Sequence, residues 1–292
     1  MKLGIGLPNT LAHELDRALL LDWARLADEA GFYALGTIDK PNYDSWDPLM
    51  TLAAVAGVTE RSLLATTILQ LANRNEVIIA KQAAVLDRVS EGRLLLCVAM
   101  GGRRDDFEVC GVPVEGRTAR FGRQIPRMRE IWANAQGSDW EHGVLGPAPI
   151  QNPLPVVVGA QSERGLKRAI DLGDGFLFGT AGSQMMSQMT PMIRQMAAAE
   201  GKHDFTIGGL AYVGVGDNPA EALDEAAHHV LRYYGQLWMP AEQLIHHGPT
   251  EVIAEAVKAY EAAGLDYLLL IPEIPSLSQV EKLAEGVLPA YL

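Results

Sequence analysis

Apolar positions along the chain follow two alternating patterns. Short, near-continuous runs stand at 3–7, 33–38, 63–69, 94–100, 156–159, 176–179, 205–215 and 267–271, eight in all. Runs of that length suit strands buried on both faces, the habit of a parallel sheet. Between them, apolar residues recur at helical spacing. Leu19, Trp23, Leu26 and Ala30 form one such face, with Gly31 as its stop. Val252, Ile253, Ala256, Val257 and Tyr260 form another, with Thr250 as the cap and Gly264 as the stop. A third helix opens at Ser162, carries Leu166, Ala169 and Ile170 on one face and ends at Gly173. The stretch Glu29-Ala30-Gly31-Phe32-Tyr33 is echoed by Ala262-Ala263-Gly264-Leu265-Asp266-Tyr267, each a helix end, a glycine turn and a strand entry.

Eight strands, each followed by a helix, predict an α/β fold of the TIM (β/α)₈ barrel type. A doubly wound open sheet is the runner-up and would carry G-x-G-x-x-G after its first strand. Here that strand runs Gly4-Ile5-Gly6-Leu7-Pro8-Asn9, which lacks the third glycine. No linker or composition shift divides the chain, so residues 1–292 are expected to form one barrel domain. The Gly- and Pro-rich stretch 137–153 predicts an insertion loop covering the C-terminal mouth of the barrel.

Composition narrows the partners. Hydrophobic residues make up 48% and charged residues 21%, which describes a globular chain rather than a disordered one. Lys and Arg number 24 against 36 Asp and Glu, a net charge of −12, which argues against nucleic acid and against an anionic membrane surface as partners. Only Cys97 and Cys110 are present, no secretory leader pattern opens the chain, and no apolar stretch approaches ~18 residues. The expectation is a soluble, cytoplasmic protein that acts on a small molecule.

In a barrel of this kind chemistry sits in the loops after the strand C-termini. After the second strand come Asp39 and Lys40, followed by Tyr43 and Trp46. A lysine there could form a Schiff base, and the two aromatics could line a substrate pocket or simply pack as a lid. After the fourth strand, Gly101-Gly102 would let a planar ligand approach closely, and Arg117 opens a long helix from which it could reach a phosphate or face solvent. After the fifth, Gly159-Ala160-Gln161-Ser162 leads into a helix N-terminus, which attracts anions; an ordinary Ser cap is the equal alternative. After the sixth, Gly179-Thr180-Ala181-Gly182 is also small and hydroxyl-bearing. The seven histidines lack metal-ligand spacing, so no metal site is expected; His246 or His247 could overhang the mouth. No G-x-S-x-G or H-E-x-x-H occurs.

Several stretches together resemble the bacterial luciferase-like flavin oxidoreductase superfamily, over nearly the whole chain. They are Thr66-Thr67-Ile68-Leu69 through Asn73-Arg74-Asn75, the run from Ala80-Lys81-Gln82 to Leu86-Asp87-Arg88-Val89-Ser90-Glu91-Gly92-Arg93, and Phe107-Glu108-Val109-Cys110-Gly111-Val112-Pro113. Pro155-Val156-Val157-Val158-Gly159-Ala160-Gln161-Ser162 and Leu172-Gly173-Asp174-Gly175-Phe176 complete the match. The resemblance implies a barrel that holds FMN or the deazaflavin F420 at its mouth. Thr67-Ile68 would be a cis-peptide bulge supporting the ring, Gly159 to Ser162 and Arg117 would hold the phosphate, and Asp39 would lie near the cofactor. It implies a monooxygenase using reduced FMN and O₂ on a small organic substrate, or alternatively an F420-dependent hydride-transfer oxidoreductase. A separate flavin or F420 reductase and a homodimer are implied as partners. A lid from 137–153 or from 233–247, the latter with Trp238 in the substrate pocket, would exclude water. Two departures bear on mechanism. Lys40 stands where many members have a histidine, and Gly102 stands about where some F420 enzymes have a glutamate. Either Lys40 takes the proton-transfer role, or the reaction needs only a positioned flavin, or the substrate-side residues differ; Asp39 and Lys40 are the expected catalytic residues, with a cofactor-free lyase using Lys40 and a non-catalytic flavin-binding protein as remote alternatives.

Overall fold

The computed structural model describes residues 1–11, 13–135 and 145–292. Its strands are β1 (Lys2–Gly6), β2 (Ala34–Thr37), β3 (Leu63–Thr66), β4 (Leu69–Gln70), β5 (Leu94–Ala99), β6 (Val156–Gly159), β7 (Gly175–Leu177), β8 (Thr206–Val215), β9 (Ile245–Gly248) and β10 (Tyr267–Pro272). Its helices are α1 (Arg17–Ala30), α2 (Pro48–Ala56), α3 (Glu76–Val89), α4 (Arg104–Val109), α5 (Arg117–Ala133), α6 (Glu163–Leu172), α7 (Ser183–Ala199), α8 (Pro219–Tyr234), α9 (Ala241–Leu244), α10 (Thr250–Ala262) and α11 (Leu277–Gly286). Strands β1, β2, β3, β5, β6, β7, β8 and β10 pair in parallel in that order, and β10 returns to β1 to close the barrel. These eight strands are the eight apolar runs.

Two short strands fall outside that pattern. β4 continues β3 after a break and pairs with β5. β9 carries His246 and His247 in its middle, which hides it from an apolar count, and it pairs with the C-terminal half of β8. β10 occupies one edge of β8 as far as Val213, so β9 joins the other edge, beyond the point where β7 has ended.

Strand alternation divides the core into two layers. Ala34, Ala65, Cys97, Val157, Leu177, Tyr212, Tyr267, Leu269 and Ile271 fill the barrel interior. Leu35, Leu64, Leu96, Val98, Phe176, Leu268 and Leu270 face the surrounding helices. Glycine makes the interior possible where large side chains cross it. A Cβ at Gly208 would overlap the Tyr267 ring, and one at Gly36 would come within 2.6 Å of Leu269 Cδ2.

The helix boundaries follow from their caps. The Asp16 carboxylate accepts the Leu19 N–H at 2.7 Å to open α1, and Gly31 ends it in the left-handed region at φ 95°. Ser162 and Gly173 bracket α6 as expected. Thr250 is not the cap of α10 but its first helical residue; extended Pro249 takes the cap position and contributes no side-chain acceptor.

The expected mouth-covering role of 137–153 is corrected for the part described. The buried Asp87 carboxylate at the end of α3 accepts the N–H groups of Ile150 and Gln151, and Gln151 Nε2 donates to the carbonyl of Leu94, the first residue of β5. Residues 145–153 therefore lie at the N-terminal end of the barrel, where a helix-to-strand connection has to run. Residues 136–144 of that loop lie outside the described residues. Over the mouth lie instead Tyr233, Tyr234 and Trp238, at and just after the end of α8.

No described helix is long and apolar enough to cross a membrane. On α2 and α3, Met50, Ile78, Val85 and Val89 are 58%, 54%, 44% and 54% exposed and form one apolar face.

Candidate active site

The strand ends on one side of the mouth are held by side chains rather than by the sheet alone. Buried Asn9, just after β1, donates to the Ile38 carbonyl at 2.7 Å and accepts its N–H at 3.0 Å, joining the ends of β1 and β2. Asp39 follows. Its Oδ2 accepts the Gln70 backbone N–H at 2.8 Å, and its Oδ1 accepts Arg74 Nη2 at 2.7 Å. Gln70 Nε2 donates both to the Asp39 carbonyl and to Asp106 Oδ2 on α4. Burial pushes the Asp39 carboxyl above its ordinary range, and the Arg74 guanidinium pulls against it.

Between β3 and β4 the strand bulges. Leu64 pairs with Leu94 but Leu69 pairs with Val98, so five steps on this strand match four on β5. The extra residue falls at Thr67-Ile68, whose peptide bond is cis. Thr66 bridges the gap by donating to the Cys97 carbonyl at 2.6 Å and accepting its N–H at 2.9 Å. Thr67 Oγ1 donates to Thr37 O at 3.1 Å. The Ile68 side chain reaches the end of β6, where a Cβ on Gly159 would overlap it.

The next three strand ends are small. Gly101 lies at φ 79°, with Gln70 Oε1 2.8 Å from where its Cβ would stand. At Gly102, Gly179 and Gly182 a Cβ would meet no atom within 4 Å. Gly159 and Ala160 end β6. Gln161 and Ser162 are exposed, and the Ser162 hydroxyl oxygen accepts the Gly165 N–H at 3.1 Å. Thr180 is half-buried beyond β7. Arg117 is the first residue of α5; Thr118 Oγ1, 3.4 Å from Met100 Sδ, keeps that helix start beside the end of β5. Arg117 Nε is buried without a partner.

The opposite side of the mouth is aromatic. Tyr233 and Tyr234 end α8 and lie over Tyr212 of β8, and the Tyr212 and Tyr234 hydroxyls are 2.6 Å apart. Tyr43 packs edge-on against Tyr233 and Tyr234, and Trp238 against Tyr212 and Tyr234. Tyr43 and Trp238 thus share one aromatic cluster. Trp46 does not join them. Asn9 binds its carbonyl, and it packs into the layer between barrel and helices.

Lys40 enters this cluster. Its Nζ stands 5.4 Å from the Tyr234 ring centre and 5.9 Å from that of Tyr43. Among the described residues it has no hydrogen-bond or ion-pair partner. Burial lowers its pKa, while Asp106 raises it and Arg103 lowers it further. Arg103 stacks on the other side of Tyr43 and pairs with Asp105.

Sequence reasoning missed Glu273. It follows β10 at the mouth and is 2% exposed. Its N–H donates to Val213 O, but its carboxyl has no partner among the described residues. Burial alone pushes its pKa up to about 8. An acid at a barrel strand end, between Pro272 and Pro275, is the same signal that singled out Asp39. His246 does not overhang the mouth; its Nε2 lies 2.9 Å from the Tyr260 hydroxyl of α10, and burial lowers its pKa.

A closed parallel barrel with polar residues at its strand ends is common to many enzymes. The family model for luciferase-like monooxygenase matches residues 1–267, and the chain belongs to that family. This places it in the luciferase-like flavin- and F420-dependent oxidoreductase superfamily. The uncharacterized protein Rv0953c of Mycobacterium tuberculosis is 31% identical over 138 residues, 45% of this chain and 49% of the relative, so the match spans about half of that relative. The protein named "Putative coenzyme F420-dependent oxidoreductase Rv3520c", of the same organism, is 25% identical over 82% of this chain and 76% of its own. Two solved structures share the fold. An F420-dependent secondary alcohol dehydrogenase has a TM-score of 0.82 at 17% identity, covering 100% of this chain and 99% of that one. The monooxygenase RslO1 of Streptomyces bottropensis has a TM-score of 0.81 at 21% identity, covering 100% of both.

Proposed function

We propose that the protein is an oxidoreductase that binds a flavin-type cofactor across the glycine-bearing side of the mouth and a small organic substrate against the tyrosine side. The observation that carries this reading is the open space at Gly102 after β5 and at Gly179 and Gly182 after β7, on either side of β6, whose Gly159 is covered by Ile68 of the cis-peptide bulge. A flat ring fits between them. Thr67, Ile68, Gly101 and Gly102 would flank the ring. Gly159, Ala160, Gln161, Ser162, Gly179 and Thr180 would hold its phosphate, where the α6 N-terminus favours an anion and the unpartnered Nε of Arg117 supplies a donor.

When bound, such a cofactor supplies a hydride, or electrons for oxygen chemistry. The residues of the chain bind and orient. Asp39 is committed to Arg74 and to the Gln70 N–H, so we assign it to positioning rather than to proton transfer. Lys40 stabilises negative charge that develops on the bound group. Tyr43 and Trp238 wall the substrate, and Trp46 is left out of that wall. F420-dependent hydride transfer is the favoured reading because Rv3520c matches along most of both chains. Monooxygenation with reduced FMN is the second reading, supported by the family's description. The protein works in the cytoplasm as a homodimer joined through the apolar α2–α3 face, and a separate reductase supplies the reduced cofactor. Turnover assayed with and without oxygen separates the two chemistries. Oxygen-independent oxidation of reduced F420 by a ketone supports the first; substrate-coupled O₂ consumption with reduced FMN supports the second.

A further inference from the structure

Five carboxyl groups are buried among the described residues: Asp28, Asp39, Asp87, Asp106 and Glu273. The first four accept hydrogen bonds from backbone or side-chain donors. Glu273 accepts none. An isolated buried carboxyl destabilises a fold, and a position chosen for packing alone would be apolar.

The placement of Glu273 is specific. Tyr267, Leu269 and Ile271 of β10 point into the barrel, and Glu273 continues that alternation at the top of the interior. The titratable groups that face it are phenols, Tyr212 from β8 and Tyr233 and Tyr234 from α8. Burial raises the pKa of all three, so none is charged near neutrality. From β1, on the other side of β10, Gly6 meets Ile271 and contributes no charge.

Resting on the proposed oxidoreductase reading, we propose that Glu273 is the acid that protonates the substrate in the mouth, and that the substrate is a carbonyl compound or an activated alkene. The O–H bond of Glu273 breaks, and a new O–H or C–H bond forms on the substrate atom that has gained an electron pair. That pair is the C=O or C=C π pair, displaced as the hydride that the reduced flavin-type cofactor would supply forms a C–H bond at the other end of the double bond and leaves the cofactor oxidised. The role departs from that of a histidine after the second strand, whose place Lys40 takes.

The test compares wild type, Glu273→Gln and Glu273→Asp. The first readout needs no cofactor. A carboxyl whose folded pKa lies above its unfolded value costs nothing below the unfolded pKa and destabilises progressively as pH rises to the folded one. The Tm of the wild type should therefore fall relative to Glu273→Gln between about pH 4.5 and about pH 8. The second readout is single-turnover oxidation of reduced F420 by acetone, cyclohexanone and 2-cyclohexenone, with reduced F420 affinity measured alongside. Glu273→Gln should keep that affinity, lose about 100-fold in rate and lose the alkaline limb of the pH profile. Glu273→Asp should retain the limb. Unchanged rate and an intact limb in Glu273→Gln, with cofactor bound, overturn the role of Glu273 alone. If the wild type binds neither reduced F420 nor reduced FMN, the oxidoreductase reading fails and this role fails with it.

Discussion

Arg74 Nη2 stands 2.7 Å from Asp39 Oδ1, across the gap between the end of β2 and the turn after β4. The other oxygen of the same carboxylate accepts the Gln70 N–H, so one side chain ties the end of β2 to the segment that follows the cis peptide. Asp39→Ala would leave the half-buried Arg74 guanidinium with only Asp47, 3.7 Å away, and the Gln70 backbone N–H unpaired, and stability should fall by about 1–3 kcal/mol. Asp39→Asn, which keeps an acceptor, should lose less. Denaturant unfolding measures both, and equal stability of Asp39→Ala and wild type would remove the positioning role.

Lys40 contributes a charge whose Nζ has no hydrogen-bond or ion-pair partner among the described residues, with Asp106, Asp105 and Asp39 acting on it only at longer range. Lys40→Met keeps the stem and removes the ammonium. Cofactor or substrate affinity, or turnover, should fall by about tenfold or more, since a half-buried charge interacts strongly with developing negative charge. Full turnover together with full affinity in Lys40→Met would contradict the role given to this residue.

The glycines at the strand ends divide into two kinds. A side chain at Gly102 or Gly179 meets open space, so Gly102→Leu and Gly179→Leu should keep stability within about 0.5 kcal/mol while obstructing the cofactor. Gly159 is filled from across the mouth by Ile68, and Gly159→Ala should cost about 1–3 kcal/mol by overpacking. Melting curves paired with cofactor titrations separate the two kinds. Undiminished cofactor affinity in both leucine variants would move the binding site elsewhere.

Met50 and Val85 lie on the exposed apolar face of α2 and α3. Charges there oppose burial between two copies of the chain. The double variant Met50→Glu, Val85→Glu should sediment as a monomer at concentrations where the wild type is a dimer. A monomeric wild type, or a double variant that stays dimeric, contradicts that interface.

The barrel was legible because its strands are buried on both faces and so appear as unbroken apolar runs. β9 escaped because His246 and His247 interrupt such a run; half-buried His246 sits there against the Tyr260 hydroxyl. The loop 137–153 misled because Gly and Pro mark a loop without saying at which end of the barrel it lies. The alternation of strand and helix does say so, since a helix-to-strand connection belongs at the N-terminal end. The Thr67-Ile68 bulge came from resemblance, and the strand-end glycines from the rule that chemistry gathers at strand C-termini. Glu273 obeys the same rule after the eighth strand. What no local pattern carried was its isolation, which depends on tyrosines contributed by β8 and α8. Arg74 as the partner of Asp39 was hidden for the same reason, 35 residues away in sequence.

The central claim is that the glycine side of the mouth holds a flavin-type cofactor, and fluorescence titration of the protein with FMN, reduced FMN and F420 tests it most directly. The account predicts micromolar binding of F420 or of an FMN form, weakened in Gly179→Leu and unaffected in Met50→Glu. Failure of all three to bind the wild type would contradict it.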